Sequence, residues 1–223
     1  MATFPFRIVG FDLDGTLLDT HADLGLALNH ALAHAGRPAV PVDQVKDLIG
    51  GGARQMLVRA LGITGAVPPE GEIAALHQVL LTYYRANIAV HSGLYPGGAD
   101  MLDALEARGV KIAVVTNKTE ALAVRLPDQL GLAPRLATII GGDTLGPGRA
   151  KPAPDLINEM MARLGGGPAA FVGDTTFDTR AAAAAGIPCV AVSFGFNDVP
   201  VTEMGATAVI DHYDSLVPTL ERL

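Results

Sequence analysis

Short, nearly continuous apolar runs recur along the chain at 7–12, 111–116, 138–140, 169–173 and 189–192, with a weaker one at 207–211. Helix-like segments separate them. A half-solvated strand would show every second residue polar, so runs of this kind suit strands covered on both faces. The pattern predicts an α/β fold: a doubly wound, Rossmann-like parallel sheet. The spacing is uneven, because residues 13–110 separate the first run from the second, whereas later runs follow at ordinary βα intervals. Residues 21–90 carry only helical periodicities: Leu24, Leu28 and Leu32, then Met56, Leu57, Ala60 and Leu61, then Ile73, Leu76, Leu80 and Tyr83. An inserted helical cap over 18–92 is expected, with 1–17 and 93–223 forming the α/β core.

Composition narrows the function classes. The chain has 223 residues, 49% of them hydrophobic and 17% charged, which suits a globular protein and not a disordered one. A net charge of -7, with sixteen Lys and Arg and no basic stripe, argues against a nucleic-acid partner, so any anion must be held locally. Cys189 has no partner for a disulfide and falls in an apolar run, where a buried, inert thiol is expected. The stretch "MATFPFRIVGFDLDG" is too short and too acidic for a signal peptide, and no run approaches the roughly 18 apolar residues of a membrane span. A soluble, cytoplasmic protein without a membrane partner is the expectation, as a monomer or a homodimer.

In open α/β sheets ligands bind beyond the carboxyl ends of the strands, so the residues that close each run matter most. The first run ends in Asp12-Leu13-Asp14-Gly15-Thr16, the second in Thr116-Asn117-Lys118 and the fourth in Gly173-Asp174-Thr175. Lys151 follows the third run, and Asp178 lies four residues past Asp174. These residues suit a phosphoryl ligand. Asp12 and Asp14, two apart, can face one reacting centre, one to attack phosphorus and the other to supply a proton. Gly15 permits close backbone approach, and Thr116 can bind phosphate oxygens. So many carboxylates need cations nearby: Lys151, and a Mg²⁺ held by oxygens such as those of Asp12 and Asp174. In the helical insert, Gly50–Arg54 lies where a loop meets a helix start, a candidate anion site through backbone N–H groups, Gly52 and Arg54. Asn117 is a candidate phosphate contact; Lys118 reads better as a turn and cap residue. The six histidines show no metal-ligand spacing.

"DLDGTLLDT", "VVTNK", the Lys of "RAKP" and "VGDTTFD" resemble, in order, the four motifs of the haloacid dehalogenase superfamily, and the helical insert resembles that of its small-cap subclass. "IGGGARQ", "LYPGGADMLDALEARG", "IIGGD" and "SFGFN" are similar to its phosphoglycolate phosphatase branch. The resemblance implies that Asp12 is the nucleophile, forming an aspartyl-phosphate, and Asp14 the general acid and base. It further implies that Thr116 and Lys151 hold the phosphoryl group, and that Asp12, the main-chain carbonyl of Asp14, and Asp174 bind Mg²⁺ with Asp178 in support. Dehalogenases lack the second aspartate, so Asp14 points to phosphoryl transfer. Thr175 and Phe177 stand where many relatives carry Ser and Asn. The expected activity is a Mg²⁺-dependent phosphatase acting on a small phosphorylated metabolite, 2-phosphoglycolate foremost. The alternatives are a sugar phosphomutase of the β-phosphoglucomutase kind and a non-catalytic phospho-acceptor module.

Overall fold

A computed structural model describes residues 4–223; positions 1–3, where the expected core segment begins, lie outside the described residues. The strands are β1 (Ile8–Phe11), β2 (Leu18–Asp19), β3 (Gly93–Leu94), β4 (Lys111–Val115), β5 (Thr138–Ile140), β6 (Ala169–Gly173), β7 (Cys189–Val192) and β8 (Ala208–Ile210). The helices are α1 (His21–His34), α2 (Val42–Val45), α3 (Ala53–Thr64), α4 (Glu70–Ala86), α5 (Gly98–Glu106), α6 (Glu120–Gln129), α7 (Asp155–Arg163), α8 (Thr176–Ala184) and α9 (Leu216–Leu220). The chain divides into two compact units, one comprising the chain up to Asp19 with Leu94–Leu223, the other Thr20–Gly93. No helix among the described residues is long and apolar enough to cross a membrane.

The larger unit holds a six-stranded parallel sheet in the order β5-β4-β1-β6-β7-β8. All six expected runs are strands of it. Every residue of β1, β6 and β7 is buried, which explains why those stretches are apolar throughout. From β1 the chain goes on to β4 and β5 on one side of it, then returns to β6 on the other. That reversal opens a crevice beyond the carboxyl ends of β1, β4 and β6. Small residues bring helices close to the sheet: a side chain at Gly10 would meet the Met160 sulfur of α7 at 2.5 Å. On α8, Ala181 and Ala182 are fully buried in the same core cluster as Cys189, which is a buried thiol. Burial pushes that thiol up, away from reactivity.

The smaller unit is helical, and its buried positions are largely those of the periodic sequence pattern. Leu28, Leu32, Leu57, Leu61 and Leu80 are fully enclosed. Tyr84 lies inside where Tyr83 fits the pattern equally well; Tyr83 stacks on His30 with ring centroids 4.5 Å apart. The Asp23 carboxylate accepts from the backbone N–H of His91 and Ser92 and from Ser92 Oγ at 2.6 Å, so the beginning and end of this unit are tied together.

Candidate active site

β1 stops at Phe11, and Asp12–Leu18 form a tight turn. Leu17 N donates to the Asp12 carbonyl, Leu18 N to that of Leu13, and Gly15 N to that of Leu18. Leu13 is fully buried while the acids on either side are partly exposed, so the two-residue alternation persists past the strand. Gly15 has φ +84°, and a Cβ there would lie 2.3 Å from Asp174 Oδ2, a closeness no other residue tolerates. Thr16 fastens the turn twice: its hydroxyl donates to Asp174 Oδ1 at 2.7 Å, and its carbonyl accepts from the Tyr213 hydroxyl at 2.6 Å.

Lys151 is the electrostatic centre. Its side chain is 1% exposed, and Nζ lies 2.9 Å from Asp12 Oδ1, 2.6 Å from Asp178 Oδ1 and 2.9 Å from the Val115 carbonyl. The ammonium thus donates to the Asp178 and Val115 oxygens, and its contact with Asp12 is an ion pair. Asp178 is placed by a capping box at the start of α8: its Oδ2 accepts from Thr175 N, Asp174 N and Thr175 Oγ1. A side chain at Gly173 would meet Asp178 Cβ at 2.3 Å, so the strand end must be glycine for this acid to fit. Asn117 Nδ2 donates to the Lys151 carbonyl at 2.9 Å, fastening the lysine loop. Thr116 is buried, and its hydroxyl oxygen accepts from Lys118 N.

Among the sequence candidates, the turn after β1, the loops after β4 and β6 and the Lys151 loop bring together Asp12, Asp14, Gly15, Thr116, Asn117, Lys151, Asp174 and Asp178. Gly52 and Arg54 belong to the helical unit. There Arg54 pairs with Glu70 at 2.6 Å on an exposed surface, and Arg59 braces the glycine loop by donating to the Leu48 and Ile49 carbonyls. Two groups of residues escaped the sequence reading. Lys118, whose sequence context suits a turn and cap residue, is buried, and its ammonium grips both oxygens of Asp14 at 2.7 and 2.8 Å. Phe196 N donates to Asp174 Oδ2, and Asn197 Nδ2 to the Asp174 carbonyl. The "SFGFN" stretch carried the signal for the second group, but only tertiary structure brings it to Asp174.

Crowding and burial raise the acids. Burial, with Asp178 and Asp14 nearby, lifts Asp12 from 3.8 to about 6 against the pull of Lys151. Asp174 is raised well above the usual carboxylate range, first by burial and then by Asp178 and Asp12. Lys151 is held charged: burial pulls its pKa down, but Asp12 and Asp178 outweigh burial and the net shift is upward.

Asp12, Asp174 and Asp178 each offer a carboxylate oxygen, all within 4.8 Å of one another. This oxygen-only donor set fits a hard divalent cation, which would offset the burial and the repulsion that raise Asp12 and Asp174. The oxygens of Asp178 already accept four bonds, so Asp12 and Asp174 are the better direct ligands, with Asp178 orienting them and Lys151. The carboxylate of Asp14, gripped by Lys118, is not one of the three.

The fold and the site define an α/β protein with an acid-rich, lysine-anchored crevice at its topological switch point. The sequence profile of the haloacid dehalogenase-like hydrolases matches residues 9–192, and the chain belongs to that family. It is 42% identical to the phosphoglycolate phosphatase of Agrobacterium fabrum, over 94% of this chain and 90% of that one. It is 39% identical to the phosphoglycolate phosphatase of Caulobacter vibrioides, over 92% and 86%. A crystal structure from Haemophilus somnus, described as a predicted phosphoglycolate phosphatase, superposes with a TM-score of 0.87 at 30% identity, covering 96% of this chain and 97% of that one.

Proposed function

We propose that this protein is a Mg²⁺-dependent phosphatase that hydrolyses 2-phosphoglycolate through an aspartyl-phosphate on Asp12. The observation that carries the reading is the pairing of Asp12 with the buried Lys151 at 2.9 Å, beside a second acid, Asp14, in the same turn. Relatives that match nearly the whole chain bear the name of that substrate.

In this reading an ionised Asp12 oxygen attacks phosphorus, the ester P–O bond breaks, and the leaving oxygen takes a proton from the Asp14 carboxyl. Asp14, now a carboxylate, accepts a proton from water as that water attacks phosphorus. The Asp12–phosphorus bond breaks, inorganic phosphate leaves, and Asp12 regains its charge. Lys151 and Thr116 face the charge that develops on the phosphoryl oxygens. Mg²⁺, when bound by Asp12, Asp174 and the main-chain carbonyl of Asp14, would supply further charge neutralisation. Asp178 holds Lys151 in place.

The test is phosphate release from 2-phosphoglycolate, sugar phosphates and nucleoside monophosphates, each with Mg²⁺ and with EDTA. The expected result is turnover with Mg²⁺, kcat/KM highest for 2-phosphoglycolate, and loss of activity in EDTA. Isomerisation of a sugar phosphate faster than phosphate release would defeat it.

A further inference from the structure

We infer that Lys118 is the positioning residue for Asp14, fixing the carboxyl group that carries both proton transfers. The inference rests on the reading of Asp14 given above, and its support is geometric. The ammonium bonds both Asp14 oxygens, at 2.7 and 2.8 Å, and that fork fixes where the carboxyl sits and which way its plane faces. The side chains are 6% and 15% exposed, so this is not one of the solvated surface pairs that contribute almost nothing.

The support beneath the lysine is rigid. Lys118 N donates to Thr116 Oγ1, its carbonyl accepts from Gly142 N at 2.8 Å, and its neighbour Asn117 is bonded to the Lys151 carbonyl. A side chain at Gly142 would lie 2.7 Å from the Asn117 carbonyl, so that contact depends on a glycine. Asp14 itself lies in the turn beyond β1, with no regular strand to hold its side chain. The pair therefore spans the turn after β1 and the loop after β4, on one flank of the crevice, while Lys151 joins Asp12 and Asp178. Two lysines divide the acids: one serves the attacking group, the other the group that moves protons.

A misplaced acid slows proton transfer without weakening substrate binding, and about 1 Å of displacement can cost on the order of 10²-fold in rate. The experiment compares Lys118→Met, Lys118→Arg, Asp14→Asn and the Asp14→Asn/Lys118→Met double variant, using 2-phosphoglycolate and p-nitrophenyl phosphate. For 2-phosphoglycolate, an alkyl ester whose leaving oxygen needs a proton, Lys118→Met is expected to lower kcat roughly 10- to 100-fold with KM little changed. Lys118→Arg should recover much of that loss. For p-nitrophenyl phosphate, whose leaving group needs no proton, kcat/KM should change less than about threefold. In the Asp14→Asn background the same lysine change should cost nothing further.

Equal losses in kcat/KM on both esters, a rise in KM at constant kcat, or a loss that multiplies in the Asp14→Asn background would each overturn the inference. Near-normal kcat/KM of Asp14→Asn on the alkyl ester would instead defeat the reading of Asp14, which separates the two failures. If circular dichroism shows Lys118→Met unfolded, Lys118→Gln takes its place under the same criteria.

Discussion

Asp12→Asn is expected to reduce phosphate release by about 10⁴-fold or more while leaving the protein folded, because losing a nucleophile removes the covalent route itself. The same variant is expected to gain stability when metal is absent. Asp12 has a pKa of about 6 in the folded chain against 3.8 when exposed, a difference worth about 3 kcal/mol. A raised folded pKa gives a contribution that is fully present below the unfolded value and lost as pH rises through the folded one. Metal-free wild type and variant should therefore be level near pH 3. The variant should lead by up to about 3 kcal/mol at pH 7, a difference that already contains the pull of Lys151 on the charged form. Urea unfolding in EDTA at both pH values measures this. A gap that does not widen with pH would show that Asp12 is not the strained acid, and wild-type turnover by the variant would end the aspartyl-phosphate reading.

Asp178→Ala is expected to be the most damaging single change to stability. It removes the fully buried partner of Lys151 Nζ and leaves an ammonium enclosed beside Asp12 alone among the acids. It also removes the acceptor for two backbone N–H groups and the Thr175 hydroxyl at the start of α8. Breaking a buried pair from one side costs about 3–5 kcal/mol, and a lost helix cap adds about 1 kcal/mol. For a domain of this size that corresponds to a fall in Tm of roughly 10 °C or more. Thermal unfolding followed by circular dichroism reads it directly. A shift of only a degree or two would mean that Lys151 finds another anion or reaches water.

The two lysines show what is legible in a sequence of this kind. Lys151 could be nominated because Lys-Pro after an apolar run, in company with two acid-bearing strand ends, points to chemistry. Lys118 follows a strand end in a Thr-Asn-Lys stretch that looks like any turn into a helix, and nothing local distinguishes a solvated lysine there from a buried one. Its partner is 104 residues away. Asp178 was legible as an acid near the site, but its use as cap and lysine anchor needed the fold. Arg54, legible as a candidate anion contact beside a glycine loop, is found paired with Glu70, and Arg59 is the residue that braces that loop.

Local sequence pattern marks which segments become buried parallel strands, that helices fill the stretch between the first and second of them, and which strand ends carry acids. Those features are local: hydrophobic period, run length and turn residues act within a few positions of the chain. Tertiary structure alone decided which acid meets which lysine, and that Thr16, Phe196 and Asn197 all hold Asp174. Side-chain pairing across a switch point depends on strand order and on the path of loops between distant segments, and no local pattern encodes either.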